Sequence, residues 1–164
     1  MKIGFIGLGR MGGAMARNLQ ESGYVLYVND VRREACDDVV AAGGTFLETP
    51  AEVARHADAV LISVPGPDQV DGVLDGDGGL LAGLSDGMLV IDATTTAPSN
   101  SIKNAQRCAT RGAEYIDAPV SGGQHGAISG DLAAMVGADA TAFERARPIL
   151  KCIANNITHV GPIG

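Results

Sequence analysis

The sequence has no tryptophan, few aromatic residues of any kind (4%), only three cysteines and no excess of positive charge. Scarce aromatics beside 23 glycines suit a sheet-and-helix fold with many backbone turns better than an all-β sandwich. Cys36, Cys108 and Cys152 are odd in number and show no C-x-x-C spacing, so no disulfide framework is expected. They read as reduced thiols on or near helical faces, which suits the cytoplasm. Twelve basic against nineteen acidic side chains leave a net charge of -7, and no basic stripe is present. A nucleic-acid backbone partner is therefore excluded. No apolar run approaches the about 20 residues needed to cross a bilayer, and the opening residues lack the charged, apolar and cleavage regions of a secretory leader. His56, His125 and His159 have no metal-ligand spacing and form no triad with Ser and Asp, so no metal is expected.

A chain of 164 residues that is 46% hydrophobic can bury one core, and one domain over 1–164 is the natural count. No internal repeat or low-complexity tract interrupts it. Short β-forming runs alternate with helical periodicity throughout. Lys2–Ile6 reads as a strand, and Met11, Met15 and Leu19 mark the apolar face of a helix ending at Gly23. Tyr24–Val28 is a second strand, Arg32–Ala42 a helix, and Thr45–Leu47 a third strand. Thr49-Pro50-Ala51-Glu52 is a capping box with proline at the first helical position. Ala59–Val64, a continuous apolar run, is the pattern of a parallel strand covered on both faces, and it ends in a Pro65-Gly66-Pro67 loop. Asp75–Gly83 reads as a flexible loop. Met88–Ile91 and Glu114–Ile116 are further strands, closed by Asp92 and Asp117, with a helix over Ser99–Thr110 between them. A glycine-laced loop over Ser121–Gly130 leads to Leu132–Val136, a helix from Thr141 with Glu144 three residues on, and a short last strand near Ile157–Val160. The expected fold is α/β, a Rossmann-like, doubly wound and mostly parallel sheet.

Between the first strand and helix stands Gly7-Leu8-Gly9-Arg10-Met11-Gly12, a G-x-G-x-x-G in the context that gives it meaning. Gly7 permits the tight turn, Gly9 lets a pyrophosphate approach the backbone, and Gly12 lets helix and strand pack closely. Free N–H groups and the helix dipole favour the negative ligand. Asn29-Asp30 closes the second strand about 20 residues on, where an acid would take the ribose hydroxyls. Its charge favours NAD over NADP. Arg32 and Arg33 read as solvated residues of the next helix but leave NADP open, because a guanidinium can pair with a 2'-phosphate.

Two longer motifs carry a family resemblance. Gly4-Phe5-Ile6-Gly7-Leu8-Gly9-Arg10-Met11-Gly12, with Met15-Ala16 and Asn18-Leu19 behind it, resembles the cofactor motif of the β-hydroxyacid dehydrogenases, which include 3-hydroxyisobutyrate dehydrogenase and tartronate semialdehyde reductase. Asp117-Ala118-Pro119-Val120-Ser121-Gly122-Gly123, followed by Gly126-Ala127, Gly130 and Met135-Val136-Gly137, resembles that family's substrate motif. The resemblance implies an NAD(P)-dependent oxidoreductase acting on a small hydroxy acid or semialdehyde, homo-oligomeric in its parent form. It implies that Val64-Pro65, Gln69 and Thr95 line the cofactor cleft, Thr95 beside the nicotinamide, although Thr94–Thr96 also reads as a turn capping the next helix. Ser121, Gly122 and Gly123 offer consecutive N–H groups for a substrate carboxylate. The family's catalytic lysine would fall beyond Gly164, and its all-helical C-terminal domain has no counterpart here. Lys103 and Lys151 read as surface helix residues, and His125 as a weaker candidate for substrate contact. The alternative is a non-catalytic dinucleotide-binding or interaction module of the same fold. A related imine or phosphogluconate-type reductase fits the Asp117–Gly123 motif less well.

Overall fold

A computed structural model describes residues 1–164. β-Branched and apolar residues form strands β1 (Lys2–Ile6), β2 (Val25–Asn29), β3 (Thr45–Phe46), β4 (Ala59–Ile62), β5 (Leu89–Asp92) and β6 (Glu114–Asp117). They are followed by β7 (Val120–Ser121), β8 (Leu132–Gly137) and β9 (Ala154–Gly161). The order β3-β2-β1-β4-β5-β6-β8-β7, with β9 on β8, is parallel from β3 through β6. β8, and β9 parallel to it, run against β6 and β7, and the sheet is mostly parallel as expected.

Helices cover both faces, and the strand residues alternate between them. Ile3, Phe5, Leu26, Val28, Leu61, Ile91 and Ile116 pack under α1 (Arg10–Glu21), α2 (Asp37–Ala41), α6 (Gly123–Ser129) and α7 (Ala140–Leu150). Ile6, Val60, Ile62, Val90 and Tyr115 pack under α3 (Pro50–His56), α4 (Pro67–Leu74) and α5 (Pro98–Ala109). Met15 and Leu19 are fully buried on α1, whereas Met11, a turn nearer its start, is half-buried. The Thr49 capping box forms on both sides: Glu52 N–H donates to the Thr49 hydroxyl at 3.2 Å, and Thr49 N–H donates to the Glu52 carboxylate at 3.1 Å.

The structure departs from the sequence reading in six places. The expected helix over Arg32–Ala42 is a 3-10 turn at Arg33–Cys36 followed by α2, a tighter winding that carries Cys36 into the core. Residues after Pro65-Gly66 form α4, with Pro67 in its first turn and Val70 and Leu74 buried one turn apart. Within the glycine-laced stretch lies α6, where Gly126 fits because a Cβ there would stand 3.1 Å from the Leu132 side chain. α7 starts not at Thr141 but after Asp139, whose carboxylate accepts from Ala142 N–H at 2.8 Å. The last strand is longer than Ile157–Val160, because β8 pairs with it in parallel from Ala154 to Gly161 across two register shifts. The Asp75–Gly83 loop contains a 3-10 turn, Leu80–Ala82, whose Leu80 is buried.

Candidate dinucleotide cleft

The sheet reverses its winding between β1 and β4, the position where open α/β sheets bind ligands at their carboxyl edge. A cleft of about 920 Å³ opens there. Its floor is Ile6, Gly7 and Gly9–Gly12, one wall is Asn29–Arg33 with Phe46, and the other is Ser63–Pro65 with Asp68 and Gln69.

The three glycines answer to different neighbours. At Gly7 φ is +89°, and a Cβ would lie 2.2 Å from the Ser63 carbonyl oxygen. At Gly12 a Cβ would lie 1.8 Å from the Gly7 carbonyl oxygen, so helix and turn touch through bare backbone. Gly9 is neither crowded nor left-handed: its φ is -66°, and nothing lies within 4 Å of a Cβ built on it. The protein itself does not require glycine there, whereas a ligand pressed against the backbone would. Gly9 is also the N-cap of α1, with no side-chain cap and no acidic residue in the first turn. No side chain of α1 itself caps or neutralises the positive end of this helix, which suits an anion.

Asp30, at the end of β2, ties the two lips together. Its Oδ2 accepts from Leu8 N–H at 2.7 Å and its Oδ1 from Arg32 N–H at 2.8 Å, with the side chain only 9% exposed. Asn29 beside it is buried and donates to the Leu47 carbonyl at 2.8 Å. Of the expected cofactor residues, Gly7, Gly9, Arg10, Met11, Gly12, Asn29, Asp30, Val64, Pro65 and Gln69 line the cleft. Leu8 does not: its side chain is buried and it takes part through its N–H. Thr95 is exposed just outside the lining, after β5, on a turn joined to the cleft wall where Val64 N–H donates to the Thr94 hydroxyl at 3.2 Å. That turn does not cap α5, whose N-cap is Ala97.

Arg32 and Arg33 both line the cleft. The Arg32 guanidinium approaches Asp30 at 4.0 Å, while Arg33 pairs with Asp37 at 2.8 Å and lies 4.3 Å over the Phe46 ring. Phe46 escaped the sequence reading; its place at the carboxyl end of a strand beside β2 was the available signal. Ser121, Gly122 and Gly123 stand apart from this cleft, where β7 runs on past the carboxyl end of β6 alongside β8. All three are exposed, and left-handed φ values of +134° at Gly122 and +60° at Gly123 turn the chain into α6. Thr95, following β5, lies on the sheet edge between the cleft and this loop.

The remaining candidates are placed away from the cleft. Lys103 on α5 pairs with Asp71 at 2.9 Å, Lys151 is exposed after α7, and Lys2 is exposed on β1. His159 stacks on Phe143 and reaches the Ala138 carbonyl at 2.8 Å, and His56 ends α3. All three cysteines are free; burial pushes the Cys36 thiol up to about 11 and the Cys108 thiol up to about 12, which keeps both protonated. No group of His, Cys, Asp and Glu is arranged to hold a metal ion. No helix is long and apolar enough to cross a membrane.

Winding, switch point and glycine turn together define a doubly wound dinucleotide-binding fold. A family model described as the NAD binding domain of 6-phosphogluconate dehydrogenase matches residues 2–161, and the chain belongs to that family. It is 43% identical over 163 residues to the NAD-dependent L-serine dehydrogenase of Pseudomonas aeruginosa, covering 99% of this chain and 55% of that protein. Mycobacterium tuberculosis 3-hydroxyisobutyrate dehydrogenase, solved with L-serine, superposes with a TM-score of 0.92 at 33% identity, over 99% of this chain and 55% of that one. Psf3 in complex with NADP+ and 2-OPP superposes with a TM-score of 0.93 at 35% identity, over 98% of this chain and 57% of that one. The chain thus spans about half the length of the curated relatives it matches.

Proposed function

We propose that residues 1–164 are the cofactor-binding domain of an NAD-dependent dehydrogenase or reductase for a small 3-hydroxy acid or its semialdehyde. The open space over Gly9 carries this reading: a backbone bared toward the cleft, at an uncapped helix start, suits a pyrophosphate. Gly7–Gly12 would hold the pyrophosphate, and Asp30, already fixed by two backbone N–H groups, would turn its remaining lone pairs to the adenosine ribose. Val64, Pro65, Gln69 and Thr95 would border the nicotinamide half. When bound, the nicotinamide supplies the hydride acceptor or donor. Ser121–Gly123 would take the substrate carboxylate through backbone N–H groups and the Ser121 hydroxyl.

None of the three lysines lines the cleft: Lys103 pairs with Asp71, and Lys2 and Lys151 are exposed. That observation favours a second reading for the isolated chain, a dinucleotide-binding module without turnover. The two readings share the cofactor and part at the assay. Calorimetric titration should show NADH binding about tenfold or more tighter than NADPH, because the Asp30 carboxylate opposes a 2'-phosphate. A preference for NADPH that disappears in Arg32→Ala would reverse the cofactor assignment. Turnover of 3-hydroxyisobutyrate by these residues alone would refute the second reading.

A further inference from the structure

One buried polar cluster lies outside the cleft, on the underside of the Thr94–Thr96 turn. Asp92 ends β5 with no exposure to solvent, an unusual place for a carboxyl. Its Oδ1 accepts from Thr94 N–H at 2.9 Å, and its Oδ2 accepts from the Tyr115 hydroxyl, which is itself buried on β6. Thr94, also buried, passes the connection on, because its hydroxyl accepts from Val64 N–H in the cleft wall. A polar chain therefore runs from β6 through β5 to the loop after β4. A second branch holds the other end of the turn: the Thr96 hydroxyl meets that of buried Ser101, on α5, at 3.1 Å. Thr95 is the exposed residue between two tethered neighbours.

A purely structural filling of this space would be met by apolar side chains, as elsewhere in the β4–β5–β6 core, without the cost of burying a carboxyl. What the carboxyl does that an apolar group cannot is fix the backbone of Thr94, and through its hydroxyl the position of Val64. We propose that Asp92, clamped by Tyr115, is the positioning residue for the Thr94–Thr96 turn, holding Thr95 and the Val64 wall in place for the nicotinamide half of the dinucleotide. The proposal rests on the cofactor reading above and adds to it which residues make the nicotinamide end rigid.

ADP-ribose separates the two ideas, since it carries the adenosine and pyrophosphate but no nicotinamide. Wild-type chain should bind both ADP-ribose and NADH in calorimetric titration, with NADH tighter. Asp92→Ala and Tyr115→Phe should weaken NADH about tenfold while leaving ADP-ribose within about twofold, the loss expected for a buried hydrogen bond acting on one end of the ligand. Asp92→Asn keeps an oxygen for Thr94 N–H and should recover most of the NADH affinity. Should Asp92→Ala fail to fold, Tyr115→Phe and Ser101→Ala, each removing one hydroxyl, carry the same split. Equal losses for the two ligands, or no loss for either, would overturn the positioning role while leaving the cofactor reading intact. Wild-type chain that binds neither ligand would instead sink the cofactor reading and this inference with it.

Discussion

Gly7, Gly9 and Gly12 look alike in the sequence but make separable predictions at the level of single residues. Alanine at Gly7 or Gly12 meets backbone oxygen at 2.2 or 1.8 Å, and each variant should lose about 2 kcal/mol or more in denaturant unfolding. The Cβ of a valine at Gly9 has nothing of the protein within 4 Å, so this variant should melt within a few degrees of wild type yet weaken NADH about tenfold or more by filling the space over the turn. Asp92 makes a pH prediction. Burial raises its pKa above the ordinary 3.8, against the lowering effect of Tyr115 and Thr94, and the neighbouring Asp117 raises it further. Such a carboxyl holds its proton more tightly folded than unfolded, so its contribution to stability is fullest below the unfolded value and is lost as pH rises through the native one. Asp92→Asn should therefore gain stability relative to wild type as pH rises above the ordinary 3.8 in guanidinium titrations. A gap independent of pH would contradict the assignment.

Among the elements, the legible ones carried their own local signals. β1 and β4 were visible as apolar runs, α1 by its buried Met15 and Leu19, and α3 by a capping box that forms as written. Thr49→Ala, which removes one side of that box, should cost about 1 kcal/mol in unfolding and leave NADH binding unchanged. The less legible elements were those whose reason lies in tertiary contact. α6 is rich in glycine and has no strong helical period; it is held by packing on α1, where Asn18 donates to the Ala127 carbonyl at 2.8 Å. α4 was hidden behind a Pro-Gly-Pro sequence that reads first as loop. The cleft was legible for the same reason as the strands: its residues follow strand ends and glycine spacing. Phe46 and the Asp92–Tyr115 pair were not, because each depends on which strands become neighbours, and no local pattern states that.

At the scale of the whole molecule, function depends on strand order. Placing β1 between β2 and β4 brings Gly7–Gly12, Asp30 and Val64 to one edge although they are scattered over some sixty positions of sequence. The same edge continues past β5 and β6 to Thr95 and Ser121–Gly123, where the proposed function would set dinucleotide and substrate side by side. A ligand that engages this edge binds only the folded chain, so saturating NADH at about a hundred times its dissociation constant should add about 2.7 kcal/mol of stability and raise the melting temperature. The most direct test of the central claim is calorimetric titration of NADH into the wild-type chain and into Gly9→Val. The account predicts one site on wild type and about tenfold or more weaker binding to a variant that melts normally. Equal affinity for the two proteins, or no binding to wild type at millimolar NADH, would contradict it.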